Sequence, residues 1–534
     1  MISVAISSSP AVWSAVGLVI IFYWGRNRSK LPLPPGPRKL PILGNLLDMP
    51  PDSPWKTYLR WSKEFDSDII HVNVAGTSII VLHSMEAIRD LLDRRASRYS
   101  DRPRAPMLND LMGWADFAFG FMDHGYHVDR GSIGDRWRSH RKMFHETFHI
   151  GAARKFNHQV RAATHDLLRR VLQNPNEMMG HFRHLAGALI MNVTYGIEVQ
   201  ASNDPYIKLA EEPCMGCQSR VSREHSLFTK LMYYQDIIPA LKYVPSWFPG
   251  ADFQRKATQW RTVTSELVEV PFREAKRNIA AGTAPSSFIS LNLPPDECQG
   301  KEREAKEQDV KQTAGATYAA GSDTTVSAMG TFVLAMIKSP EAQKKAQAEL
   351  DRVIGHGRLP DFADEPALPY LSAVVKEVLR WENVAPIGIP HRLSDGEDDE
   401  YKGYRIPAGS IVIGNTWFAM SFKMYPDPES FIPERFLRDG KLDPDVRDPE
   451  TAAFGYGRRI CPGRHIASTS LWITIASVLA TMEITKAVDE NGKELEPSYE
   501  YFSALVFSPL PFKCTITPRS QQAVDAIEAT VDGG

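Results

Sequence analysis

Cysteine is scarce in this sequence: there are five in 534 residues, an odd number. That excludes a disulfide-built secreted scaffold and fits a reducing compartment. One close pair exists, Cys214-Met-Gly-Cys217, and no second pair stands elsewhere to complete the four ligands of a structural zinc site. Net charge is also missing, at −2, so nothing global advertises a nucleic-acid partner. No tandem repeat breaks the chain into modules. What is there is ample apolar material, 43% hydrophobic and 10% aromatic, enough for a large core.

The longest uncharged run stands at the start. Val4–Trp24 holds 21 residues without a charge, and Arg26, Arg28 and Lys30 follow at once. The length suits a bilayer core, with Ala11–Trp24 its apolar heart. The basic flank places the C-terminal side in the cytosol. A cleaved signal peptide is the alternative, but the segment lacks a charged n-region and ends in Phe22, Tyr23 and Trp24, aromatics suited to an interface. Pro32, Pro34, Pro35 and Pro37 then stiffen Leu31–Leu47 into an extended spacer.

Downstream, Asp68–Leu82 reads as a hairpin turning at Gly76. Ser84–Ala96 reads as a helix capped by Ser84. From Trp137 to Ser339 the pattern is mainly helical, with a polar stretch near Pro285–Lys306. A long helix is expected over Asp309–Lys338, closed by Ser339-Pro340. Tyr404–Phe418 reads as a β-rich patch, Arg464–Met482 as a helix and Ser508–Pro518 as a last hairpin. The expected class is mainly α with small β-sheets.

The strongest local signal is Phe454-x-x-Gly457-x-Arg459-x-Cys461-x-Gly463. With average residue usage those five residues meet at that spacing on the order of once in ten thousand chains. A lone Cys in a Gly-rich loop is a nucleophile or one axial ligand. As a thiolate, Cys461 can ligate haem iron and favour O–O cleavage. Gly457 and Gly463 let backbone approach a flat macrocycle and aim amides at sulfur, which tunes the metal. Arg459 can neutralise a propionate, and Phe454 can shield the sulfur.

The second signal is "AAGSDTT", Ala319–Thr325, inside the long helix. Gly, Ser, Asp and Thr are poor interior helix residues, and their hydroxyls can bend or widen it. Asp323 and Thr324 make an acid–alcohol pair able to deliver protons to dioxygen. The bland alternative is a small-residue face where helices cross. "KEVLR" sets Glu377 and Arg380 on one helical face, and "PERF" adds Arg435, a third member for a buried charge cluster. "WRSHR" places Trp137 and Arg141 four apart, and "PHR" supplies His391 before a probable strand; each offers donors to a carboxylate. Arg392 takes no role.

In order as well as in type, these motifs resemble the cytochrome P450 family, from Pro32 to Cys514. The likeness is to membrane-anchored fungal microsomal haem-thiolate monooxygenases, the O-methylsterigmatocystin oxidoreductase-like group among them. The resemblance implies a triangular helical fold with haem b (iron-protoporphyrin IX) between the long helix and the Cys loop. It implies one oxygen atom of O2 going into a hydrophobic small molecule, with electrons from NADPH through cytochrome P450 reductase. Cytochrome b5 is a further candidate donor. By the resemblance, Cys461 is the metal ligand, and Trp137, Arg141, His391 and Arg459 hold the propionates. Asp323 and Thr324 form the protonation pair, and Glu377, Arg380 and Arg435 the structural network.

The chain then divides into a membrane anchor at 1–24, a basic Pro-rich hinge at 25–50, a catalytic domain at 51–520 and a tail at 521–534. The expected site is the endoplasmic reticulum membrane, single-pass with the catalytic domain cytosolic, in secondary metabolism or xenobiotic oxidation. Two stretches depart from the pattern. Gly120–Ile133 stands as an insertion rich in Gly, His and Asp, and Trp417–Pro428 lacks a His-Asp-Pro-like turn. Expected pocket walls are Phe117, Phe119, Tyr318, Ala385, Ile387, Leu505 and Val506, mostly apolar. A haem binder without turnover, or a peroxide isomerase, would have no use for the Asp323–Thr324 pair. No Cys-x-x-Cys-His occurs for covalent haem attachment.

Overall fold

The computed structural model describes residues 31–123, 131–214, 239–420 and 424–531. Val4–Trp24 and Cys217 lie outside them, as does part of each departing stretch. Among the described residues no helix is long and apolar enough to cross a membrane.

Helices dominate and small sheets flank them. The helices that position the site are α1 (Pro54–Glu64), α2 (Gly131–Phe148), α3 (Asn157–Gln173), α4 (Met178–Tyr195), α5 (Asp252–Ala280), α6 (Gly300–Lys338), α7 (Pro340–Val353), α8 (Pro369–Trp381) and α9 (Arg464–Thr481). At 39 residues α6 is the spine, and α4, α5 and α9 pack on it. It begins nine residues before the expected Asp309. The polar run there is helical because its charges pair at i, i+4: Glu302 with Lys306 at 2.8 Å and Arg303 with Glu307 at 3.1 Å. At its other end Pro340 cannot donate an N–H, and the helix stops at Ser339.

One four-stranded sheet runs in the order β1-β2-β4-β3, built from β1 (Ile69–Val74), β2 (Thr77–Leu82), β3 (His391–Arg392) and β4 (Ile411–Gly414). β1 and β2 form the expected hairpin, and β2 pairs parallel with β4. The expected proline spacer is attached to this sheet. His71 N–H on the edge strand donates to Pro35 O at 2.9 Å, and Arg405 N–H, in a separate two-stranded sheet with Asp399–Tyr401, donates to Pro32 O at 2.8 Å. Prolines accept but cannot donate, so this segment covers an edge without offering a new one.

Two further expectations are corrected. Ser84 does cap a helix, accepting from Ala87 N–H at 3.1 Å, but Arg89–Arg94 is π-helical within it. The last hairpin does not form. Ser508–Pro509 pairs with Tyr501–Phe502, whereas Cys514–Pro518 pairs with Met482–Val488. Pro509 and Pro511 leave too few N–H groups for a ladder with 514–518.

Candidate active site

Cys461 ends a tight loop. Its N–H donates to Phe454 O at 2.7 Å, and Tyr456, buried, bonds Thr416 Oγ1 at 2.8 Å. Helix α9 starts three residues after the cysteine, so the sulfur meets a helix N-terminus. Burial pushes the thiol up; the Gly463 and Arg464 amides and the Arg141 and Arg464 guanidiniums oppose it. Gly463 thus aims an amide at sulfur, and a Cβ there would meet only the Phe144 ring at 3.9 Å and the sulfur at 4.0 Å. Gly457 differs from expectation. Its φ is +54°, its N–H donates to the Asp93 carboxylate at 2.5 Å, and a Cβ would lie 2.1 Å from Leu92 O. The contact that demands glycine at 457 is with the π-helical segment.

A basic rim lies beside this loop. Arg459 is buried, donates to the carbonyls of Ser100, Phe119 and Met122, and lies 4.7 Å over the Trp137 ring. Burial draws its pKa down to about 9, against the pull of Asp101 and Asp123. Arg102, which sequence reasoning missed, is also buried and gives its hydrogen bonds to the carbonyls of Gly120, Ile389 and Pro390. Arg102 makes no ion pair among the described residues. Burial and the neighbouring Arg459 hold its pKa well below the usual value. The only local hint of Arg102 was Pro103, which forces extended backbone on the residue before it. Arg141 is half-buried, and its guanidinium has no hydrogen-bond or ionic partner among the described residues. Burial lowers its pKa while Cys461 opposes.

His391 Nδ1 lies 2.8 Å from Tyr99 O and must carry the proton, since a carbonyl only accepts. Burial, then Arg102, holds the imidazole neutral, so its Nε2 offers a lone pair. A carboxylate beside it would reverse that by favouring the doubly protonated ring.

Helix α6 is buried along Gln312–Tyr318 and again along Val326–Ile337, while Ala320 and Thr324, four apart, are exposed between those runs. The expected widening is absent: the helix stays α throughout. Its hydroxyls bond back, Thr324 Oγ1 to Ala320 O at 3.0 Å and Thr325 Oγ1 to Gly321 O at 3.3 Å. Asp323 is half-buried beside them. The close-packing alternative holds on another face, where a Cβ on Gly321 would lie 2.7 Å from Ile190 of α4. Tyr318 is corrected as a pocket wall. It is fully buried against Tyr195, and its hydroxyl donates to Tyr206 O.

Glu377, Arg380 and Arg435 meet away from the rim. Arg380 grips both Glu377 oxygens at 2.6 and 2.8 Å, and Arg435 Nε and Ile432 N–H reach the same carboxylate at 3.0 and 2.8 Å. Five further guanidinium bonds go to the carbonyls of Pro426, Asp427, Pro428 and Ser430.

A second pair was missed. Asp309 on α6 accepts from Ser139 Oγ at 2.7 Å and contacts His140 Nε2 at 3.2 Å, both on α2. Burial raises the Asp309 carboxyl, but these bonds outweigh it and hold the group below its usual range.

The Cytochrome P450 family model matches residues 34–516. The chain belongs to the cytochrome P450 family. Similar proteins include cytochrome P450 monooxygenase 98 of Postia placenta, 44% identical over 95% of each chain. Cytochrome P450 monooxygenase ple1 of Rhodocybe pseudopiperita is 43% identical over 97% of this chain and 95% of the relative. Tryptamine 4-monooxygenase of Psilocybe cyanescens is 40% identical over 94% of this chain and 95% of the relative. This P450 is therefore a monooxygenase-family enzyme, and the family implies haem. Its described residues fit that group: a thiol met by two amides, an Arg141 without a hydrogen-bond or ionic partner among them, and a buried Arg102 bonded among them only to carbonyls. The rim thus has cationic donors to spare for two carboxylates.

Proposed function

We propose that this P450 is a haem-thiolate monooxygenase acting on a hydrophobic small molecule. Electrons come from NADPH through a reductase partner at the endoplasmic reticulum membrane, and the role is in secondary metabolism or xenobiotic oxidation. The observation that carries the reading is Cys461 with the Gly463 and Arg464 amides on its sulfur and the Arg141 guanidinium nearby. Thiolate-bound haem supplies reductive activation of dioxygen: two electrons and two protons put one oxygen atom into substrate and the other into water.

The chain's own residues do the rest. Cys461, as its thiolate, would be the ligand. Arg141, Arg102 and Arg459 would hold the propionates, with Trp137 stacked on Arg459 to fix its plane; His391 would join them once doubly protonated. Thr324 Oγ1, bonded to Ala320 O, would turn to hold a proton at the pocket side of α6, and Asp323 would replenish it. Phe117, Phe119, Ala385, Ile387, Leu505 and Val506 would line an apolar pocket that excludes water. The domain division at 24, 50 and 520 follows the same reading.

The test is a reduced, carbon-monoxide difference spectrum of membranes expressing the chain. A strongly red-shifted Soret band supports the thiolate, and an ordinary position removes it. Thr324→Ala is expected to lower product per NADPH by about tenfold or more, with the electrons appearing as peroxide. Unchanged coupling takes Thr324 out of the mechanism. Deleting residues 1–24 is expected to move the protein from the membrane pellet to the supernatant, and persistent pelleting would point to a second membrane contact.

A further inference from the structure

Helices α2 and α6 are joined by two polar rungs. At one, Arg136 Nη2 donates to Gln312 Oε1 at 2.9 Å and also holds Asp116 O at 2.6 Å. At the other, the two oxygens of Asp309 are taken by Ser139 Oγ and His140 Nε2. Positions 136 and 140 are four apart on α2, and 309 and 312 are three apart on α6, so each set forms a row on one helix face. Trp137 and Arg141 form the next row of α2, each one residue later and about 100° further round. That row meets Arg459, through the 4.7 Å stack on Trp137, and Cys461, through the charge of Arg141.

We infer that Asp309, with His140 and Ser139, is a positioning group that sets the rotation and height of α2, and through it the placing of Trp137 and Arg141 at the haem rim. Arg141 has no protein partner of its own to hold it among the described residues. Its aim depends on the helix that carries it. The His140 side chain is wholly buried, and its second ring nitrogen has no partner among the described residues, so among them the Asp309 contact is the polar interaction that orients this ring. Without the Asp309 rung, α2 keeps one polar tie to α6 among the described residues, Arg136 to Gln312, and apolar contacts that tolerate turning about it.

The inference rests on the haem reading above, so the experiment compares variants with the parent holoenzyme. Asp309→Ala removes both acceptors. Asp309→Asn keeps an oxygen for His140 and an amide that Ser139 Oγ can accept from. Haem transfer from the holoprotein to excess apomyoglobin is measured, with the carbon-monoxide spectrum and the thermal midpoint alongside. Asp309→Ala is expected to lose haem about tenfold faster, the factor a single charge-assisted hydrogen bond carries. Asp309→Asn is expected to stay within about twofold of the parent. A parent without a thiolate-type spectrum would sink the haem reading itself. With that spectrum in place, an Asp309→Ala rate within twofold of the parent overturns the positioning role. So do equal losses in both variants, and so does faster loss matched by an equal fall in midpoint without rescue by Asn.

Discussion

Replacing Cys461 by Ser is expected to abolish the red-shifted carbon-monoxide band and to lower turnover by about a thousandfold or more, because a serine hydroxyl does not ionise to a ligand near neutral pH. The substitution changes one atom in a loop held by other bonds. The Phe454 carbonyl still receives the residue 461 N–H, and Tyr456 still bonds Thr416. Thermal stability should therefore move by no more than about 1 kcal/mol, and the spectral loss is a chemical effect. A normal thiolate band in the variant would send the ligand elsewhere. The other thiols among the described residues are poor candidates. Cys514 lies in a strand with its thiol pushed up to about 11 by burial, and Cys298 lies in a surface turn before α6, between exposed Glu297 and exposed Gln299, with no buried face to cover a macrocycle.

Glu377→Ala is expected to cost about 3–5 kcal/mol, the largest stability loss of any single exchange considered, because it leaves two buried guanidiniums without their anion. The Glu377 and Arg380 side chains are 0% exposed and that of Arg435 is 6% exposed, so water cannot replace the carboxylate. The Ile432 N–H loses its acceptor too. Against a typical reserve of about 5–15 kcal/mol, such a loss should cut the yield of folded holoprotein sharply. Glu377→Gln keeps one acceptor and should fall between. The measurement is the denaturant midpoint with haem content followed in parallel. A midpoint for Glu377→Ala within about 1 kcal/mol of the parent would mean the cluster contributes orientation and not stability.

Much of the site was legible because it is local. The Cys461 loop closes on itself across seven positions, from Phe454 to Cys461. Glu377 and Arg380 are three apart on one helix, so spacing alone sets them together. The signals that failed were of a different kind. Arg102 reaches Ile389 across 287 positions, and Asp309 reaches His140 across 169. The glycine at 457 answers to Leu92, and strand β2 finds β4 from more than 300 residues away. No periodicity encodes such partners.

By itself, then, the order of residues determined the Cys461 loop, the spine helix with its acid and alcohol, the i, i+3 ion pair and the β1–β2 hairpin. In each, a few bonds along the chain fix the distance, so covalent geometry does the work. Only the tertiary structure decided that the proline segment covers a sheet edge, that residues 508–509 and 514–518 part to different partners, and that Tyr318 is core. It alone brought Arg102 to the rim and Asp309 under α2. Those outcomes follow from which apolar faces bury against each other, a choice made by the whole chain at once, and the polar groups then pair with whatever that packing sets beside them.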